Sequence, residues 1–223
     1  MTEPGDIRLH HVPQSRSFRV LWLLHEAGLA HQVVRHSFFD RSMRDPAFLS
    51  VSPAGRVPAL EIDGRTLCES GAIVEYLCET RAPGLGRAPG DPERADWLEW
   101  LHYAETIGQH LAQLTQQHIV LREDWMRSPT VMRLEAVRLN RALAGMADRM
   151  AGRDWLLRSG FSAVDVAVGY GLHLARRFVA VDDVPGLGGY HARLVARPGF
   201  QKAAAVDGPA EVFLRDHYPQ PGA

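Results

Sequence analysis

Residues 55–73 read GRVPALEIDGRTLCESGAI. Two short apolar runs, VPALEI and RTLCE, flank Asp63-Gly64. A tight turn of this kind needs positive φ, which glycine adopts without steric cost, so the stretch reads as a β-hairpin. Pro58 opens the first strand, where its missing N–H costs no ladder bond. As an ordinary strand start its peptide bond is trans. In the cis form it would turn the chain sharply and leave the backbone N–H and C=O of Val57 free to pair with something extended. Glu69 and Ser70 fall where the hairpin ends, and SGAIVEYLCE continues as a helix with Ile73, Val74 and Leu77 on one face. The first amides of a helix have no internal partners and the helix dipole is positive there. A ligand carboxylate is favoured at that place, with Ser70 adding a hydroxyl and Glu69 taking an ammonium. The pair suits the head of an amino acid. The alternative is a plain helix cap with Ser70 as N-cap.

Upstream of the hairpin, Ile7–Val12 reads as a strand, 13–17 as a polar loop, and FRVLWLLHEAG from Phe18 as a helix stopped by Gly28. HQVVRHSFF (31–39) has the β-branched content of a second strand. SMRDPAFLSVSPAG has room for one short helix. The order is strand, helix, strand, loop, hairpin, helix: an α/β domain over 1–80. TRAPGLGRAPGDP, rich in Pro and Gly, reads as a linker over 81–90. From Asp91 the texture is helical throughout, with Asp91-Pro92 and Ser128-Pro129 as helix starts. The second domain, 91–223, is therefore all-α. Within it Ser162-Ala-Val-Asp165 has the form of a capping box, flanked by Phe161 and Val166 as a hydrophobic staple. It reads as a folding device. Trp97, Trp100 and Leu101 are at core spacing.

The 223 residues are 46% hydrophobic with a formal net charge of -1, which points to a globular chain with a real core and no electrostatic bias toward nucleic acid or an anionic membrane. Two cysteines, Cys68 and Cys78, are too few for a disulfide scaffold and fit a reducing, cytoplasmic setting. Cys68 reads as a small strand residue rather than a redox group. No signal pattern and no membrane span is read. His10 and His11 are adjacent and so point to opposite faces of their strand, and no His/Cys spacing reads as a metal centre.

The series PQSRSFRVLWLLHEAGL, then SPAGRVPALEIDGRTLCESGAIVEYLCE, then a linker and helices carrying HYAE (102–105) and FSAVDVAVG, resembles the cytosolic glutathione transferases, of a bacterial or fungal type with a serine-type loop. The resemblance covers nearly the whole chain and is densest over 7–79. It implies a thioredoxin-like N-terminal domain that holds glutathione as co-substrate, and a helical C-terminal domain that helps to form the pocket for a small hydrophobic electrophile. It implies a cis Pro58, strand-like pairing from Val57 to the cysteinyl part, and Glu69 and Ser70 on the γ-glutamyl end. Arg56 stands where members carry a contact near the glycyl end. It also implies a homodimer with a detoxifying transferase activity and no metal.

A thiol must ionise to attack, and a free thiol is mostly protonated at pH 7. Relatives place a Tyr, Ser or Cys in the loop after the first strand to stabilise the thiolate. Here the loop is VPQSRSF. Ser15 aligns best, Arg16 is the alternative cation, and Ser17 reads as a helix cap. Serine-type relatives often carry a His before the third strand where this chain has Met43 and Arg44. Tyr103 is a candidate pocket residue. Two other functions stay open at this point: glutathione-dependent reduction of disulfides or peroxides, and a non-catalytic binding module of the same fold.

Overall fold

The computed structural model describes residues 7–220. In chain order the elements are β1 (Arg8–His11), α1 (Ser17–Glu26), β2 (Gln32–Arg35), α2 (Pro46–Val51), β3 (Ala59–Ile62), β4 (Arg65–Cys68) and α3 (Ser70–Thr80). They are followed by α4 (Arg94–Thr115), α5 (Pro129–Met150), α6 (Ala163–Ala175), α7 (Leu187–Val195) and α8 (Pro198–Asp207). Two compact units result. One takes the chain up to Pro89 together with Ala196–Glu211; the other takes Gly90–Val195 together with the chain from Val212.

The first unit is built on a four-stranded sheet in the order β2-β1-β3-β4. β1 pairs parallel with β2, and β3 runs antiparallel to both β1 and β4. Asp63 (φ 53°) and Gly64 (φ 69°) both take left-handed backbone, which is the tight hairpin turn expected from their identities. β2 is shorter than its β-branched stretch predicts and stops at Arg35. The segment 42–55 forms a short 3₁₀ turn, Ser42–Arg44, and one helix, α2, capped by Asp45. In α1, Phe18 and Val20–Leu24 are buried. It ends as predicted on Gly28 (φ 64°), with the Leu29 amide reaching back to the Leu24 carbonyl at 3.0 Å.

β1 separates its two histidines as the strand period requires. His10 lies on one face, 2.9 Å from both His36 Nε2 and Glu61 Oε1. His11 lies on the other, fully buried against Ser17 and Asp207.

The expected boundary at 91–223 differs from the compact units in one segment. Residues 196–211, α8 with its flanks, pack with the first unit. Phe200 meets Phe18 and Trp22 edge-on, with ring centroids 5.5 and 5.0 Å away. Arg197 forks onto Glu26 with two bonds of 2.9 Å. Periodicity marks α8 as a helix, but it does not say which apolar surface the helix covers. The stretch expected as linker also begins as packed structure. Ala82 is buried, residues 83–85 form a 3₁₀ turn, and a Cβ on Gly86 would stand 2.8 Å from Cys78 Cβ.

In the second unit, α4 packs against α5 and α6, and its Trp97, Trp100 and Leu101 are all buried. Gly171 lets α6 approach α4 closely, since a Cβ there would meet Ile107 at 2.9 Å. Ser128 caps α5 as expected, accepting from the Val131 amide. α4 starts three residues later than its Asp91 signal; Asp91 instead accepts from the Glu93 amide at 2.8 Å. The capping box of α6 forms. Its Asp165 half is a full hydrogen bond, the Ser162 amide donating to Asp165 Oδ2 at 2.9 Å; Ser162 Oγ makes none, and the Asp165 amide donates to the Ser162 carbonyl at 3.0 Å. Asp165 does more than cap: it also accepts from the Leu156 amide and the Tyr190 hydroxyl, at 3.0 and 2.8 Å. Burial and that carboxylate push the Tyr190 hydroxyl pKa well above its ordinary value. Among the described residues of this unit there is no strand, only an isolated bridge between Leu157 and Gly160.

Candidate active site

The hairpin delivers the chain to the head of α3 with an abrupt change of direction. Glu69 takes the N-cap position with left-handed φ of 69° and makes no side-chain capping bond to the helix. Its side chain is exposed. Ser70 is thus the first helical residue rather than the cap, and it is buried. Its Oγ accepts a 2.9 Å bond from Arg19 Nη1, from a guanidinium only 1% exposed on α1. A hydroxyl that accepts from a cation keeps its own proton to donate elsewhere. Beside it stand the unsatisfied first amides of an 11-residue helix and the positive end of its dipole. A carboxylate arriving there meets N–H groups and an O–H; an ammonium arriving beside it meets Glu69.

Sequence reasoning missed Arg19. The signal was present: a cation inside the apolar run FRVLWLL, flanked by residues that are all buried. A buried charge needs partners, and one of them is fifty-one residues away.

The Val57-Pro58 bond is cis. Buried Ser52 holds the chain just before it, donating to the Arg56 carbonyl at 2.8 Å and accepting from the Arg56 amide at 3.2 Å. Arg56 and Arg44 are both exposed. The two loops that carry them touch, since a Cβ on Gly55 would lie 3.4 Å from the Met43 carbonyl. A second negative group thus has two cations within one loop cluster.

The loop after β1 carries Ser15 and Arg16 and leads into Ser17, the first residue of α1. Ser15 and Arg16 are half-buried, and Arg16 occupies the N-cap position of α1. Ser17 is fully buried and does not cap the helix as its sequence position predicts. Its Oγ is turned back into the sheet, 2.8 Å from His11 Nδ1 and 2.7 Å from Ser15 Oγ, with the Val12 amide donating to it at 3.2 Å. The first turn of α1 and the head of α3 are joined by the Arg19–Ser70 bond.

In the second unit, the Tyr103 hydroxyl donates to the Ala142 carbonyl at 2.8 Å, and its ring stands edge-on to Trp100. Its proton is committed to the α4–α5 contact, and burial raises its pKa. The same unit holds a cavity of about 460 Å³ between the end of α4 and the C-terminal tail, lined by His118, Met132, Leu214 and Tyr218 with Arg127 and Arg215. The cysteines differ. Cys78 is buried and its thiol pKa is pushed up to about 12, chiefly by burial, so it is inert near neutrality. Cys68 is half-buried, with its sulfur 3.8 Å from the Val51 carbonyl. Among the described residues no cluster of His, Cys, Asp and Glu is arranged to hold a metal ion, and no helix is long and apolar enough to cross a membrane.

Residues 15–80 match the family described as Glutathione S-transferase, N-terminal domain. Over 100 residues the chain is 33% identical to Glutathione S-transferase 3 of Schizosaccharomyces pombe, covering 44% of this chain and 41% of that protein. Over 96 residues it is 38% identical to Maleylacetoacetate isomerase of Rhizobium meliloti, covering 43% and 45%. These matches span under half the length of either relative. A glutathione transferase family member from Pseudomonas fluorescens, solved with two glutathione bound, aligns at 26% identity and a TM-score of 0.80, over 92% of this chain and 94% of that one. With the thioredoxin-like sheet, the cis proline and the Glu69-Ser70 step in place, residues 15–80 carry the glutathione S-transferase N-terminal domain, and the chain shares the fold of that solved family member over most of its length.

Proposed function

We propose that the chain is a glutathione transferase: it binds glutathione on its first unit, holds the sulfur as a thiolate and delivers it to a small hydrophobic electrophile. The observation that carries this is the head of α3, where Ser70 is held by Arg19 next to an uncapping Glu69. The γ-glutamyl end of glutathione has the ammonium and carboxylate that this step suits. Val57, ahead of the cis bond, supplies strand-like backbone to the cysteinyl part, and Arg56 and Arg44 supply charge for the glycyl carboxylate. Ser15 donates to the thiolate, with Arg16 as the alternative cation. Stabilising that anion lowers the thiol pKa and raises the nucleophile's concentration at neutral pH.

The chain works as a homodimer in this reading. Exposed Phe38 and Phe39, and Leu134 and Val137 on one side of α5, supply apolar surface for a partner copy. A reducing cytoplasmic compartment fits its two free cysteines. A second reading follows from the Rhizobium relative's name. The same thiolate could add to an activated double bond of an unsaturated acid, allow rotation and leave again. Glutathione is then recovered unchanged.

The test is direct. Purified protein should be retained on immobilised glutathione and conjugate an aryl halide. The double variant Glu69→Ala, Ser70→Ala should bind glutathione roughly a hundredfold more weakly, from the loss of two charge-assisted contacts. Unchanged retention by a folded double variant overturns the site. Isomer formed without net loss of free thiol selects the second reading.

A further inference from the structure

The β1–α1 loop contains more machinery than a thiolate donor needs. Ser15 Oγ lies 2.7 Å from Ser17 Oγ, and Ser17 Oγ lies 2.8 Å from His11 Nδ1. On the far side of the ring, His11 Nε2 lies 3.1 Å from Asp207 Oδ1, at ion-pair distance but off the line of a hydrogen bond. Asp207 is itself fixed, because the Gln14 amide donates to both its carboxylate oxygens at 3.2 and 3.1 Å. Gln14 has the left-handed φ of 60° that aims this amide. Ser17 and His11 are fully buried and Asp207 nearly so. A half-buried serine is thus the outer end of a chain whose other links are closed to solvent.

Proton bookkeeping decides what the chain can do. Ser17 has one hydroxyl proton and three acceptors in reach: His11 Nδ1 at 2.8 Å, Ser15 Oγ at 2.7 Å and the Val12 carbonyl at 3.2 Å. The two short contacts have ordinary hydroxyl hydrogen-bond length and the third is long. With the Nε2 proton of His11 toward the Asp207 carboxylate, Nδ1 accepts from Ser17. Ser15 must then donate to Ser17, so the chain runs inward; Ser15 Oγ also accepts from the Ser17 amide at 3.2 Å, which leaves one lone pair for an incoming proton.

We propose that this chain carries the proton of the glutathione thiol away to His11. The statement rests on the glutathione transferase reading above. The S–H bond breaks and its proton forms a bond to Ser15 Oγ. The Ser15 proton passes to Ser17 Oγ, and the Ser17 proton passes to His11 Nδ1. The products are a thiolate that accepts a bond from Ser15 O–H and an imidazolium beside Asp207. No other reactant is needed, and charge is conserved as one anion and one cation. Ser15 touches the reacting sulfur. Ser17, His11 and Asp207 are positioning residues that act through it.

The charges facing His11 suit this. Asp207 from α8 is the carboxylate. Arg35, the register partner of His11 on β2, spends its guanidinium on the Val206 and Asp207 carbonyls. His36 donates its backbone amide to the His11 carbonyl, while its ring lies with His10 and Glu61 on the other face of the sheet.

The experiment uses the full chain. Calorimetry with glutathione comes first, and absence of binding by the wild type overturns the transferase reading and the relay with it. Given binding, ¹⁵N spectra of histidine-labelled wild type are recorded free, saturated with glutathione, and saturated with S-methylglutathione, which has no thiol proton. One buried ring should move to the imidazolium pattern with glutathione alone. In parallel, the ultraviolet thiolate band of bound glutathione is titrated in wild type, Ser17→Ala and Asp207→Asn. Both variants should bind glutathione within about threefold of wild type, yet titrate roughly one pH unit higher, a tenfold weaker ionisation of the bound thiol. A ring that stays neutral, or one that charges equally with the S-methyl compound, overturns the relay. So do variants that titrate like the wild type. In these last cases glutathione binding persists and the transferase reading stands. If a variant fails to fold, the wild-type spectra alone decide.

Discussion

At the head of α3, Glu69 and Ser70 are placed by the hairpin immediately before them, and one bond from Arg19, fifty-one residues away, completes the step. The β1–α1 loop is assembled differently. Gln14 is tied to Asp207 and to the Glu211 amide across separations of 193 and 197 residues. One region is a local motif with a single distant contact; the other exists only because α8 returns to the first unit. The proposed binding step is therefore robust to events elsewhere in the chain, while the proposed ionising step depends on docking of a distant helix.

The largest test breaks the second region from behind. Phe200→Ala removes the ring that α8 sets against Phe18 and Trp22. It should cost about 3–5 kcal/mol and lower Tm by on the order of 10 °C. In the folded fraction, glutathione should still bind while turnover falls. Equal loss of both would mean the two regions are not separable. A medium effect probes the first region. Arg19→Met deletes the donor to Ser70, and glutathione affinity should fall roughly tenfold, the worth of one charged hydrogen bond. Calorimetry reads it, and unchanged affinity would return Ser70 to a structural role.

The smallest effect concerns the opposite face of β1. Burial and neighbouring His10 hold the His36 pKa below its ordinary 6.5. The unfolded chain therefore binds the extra proton more readily, so this contribution is complete above about pH 6.5 and is lost as pH falls toward the folded value. His191, lowered to about 4 mainly by burial, contributes with the same sign in the second unit. Amide exchange in β1 and β2 is thus the reading to take. Protection there should fall between pH 7 and 5, and less so in His36→Asn. An identical pH response in that variant would remove His36 from the account.

Much of this was legible in the sequence because the information is local. Asp63-Gly64 specifies a turn, Gly28 a helix stop and Ser162 with Asp165 a cap, each through groups a few residues apart. Glu69 and Ser70 were legible for the same reason. The remainder is written in pairs that only the fold brings together. Ser17 looks like a cap until His11 claims its hydroxyl. Arg19 is an unremarked cation in an apolar run until Ser70 appears beside it. α8 is an obvious helix with no local mark of its destination. Tyr103 shows the converse, since an aromatic on an interesting helix is used by a carbonyl of the next one.

The return of α8 has a consequence for how the chain is made. Translation delivers β1 and α1 long before Asp207. Until α8 is made, His11 and the Phe18–Trp22 face wait without the residues that cover them. The first unit begins to emerge before the second, yet its last helix arrives only after the whole of α4–α7. The machinery proposed for ionising a thiol is thus switched on only once α8 has been made, and a polypeptide still short of α8 would lack it.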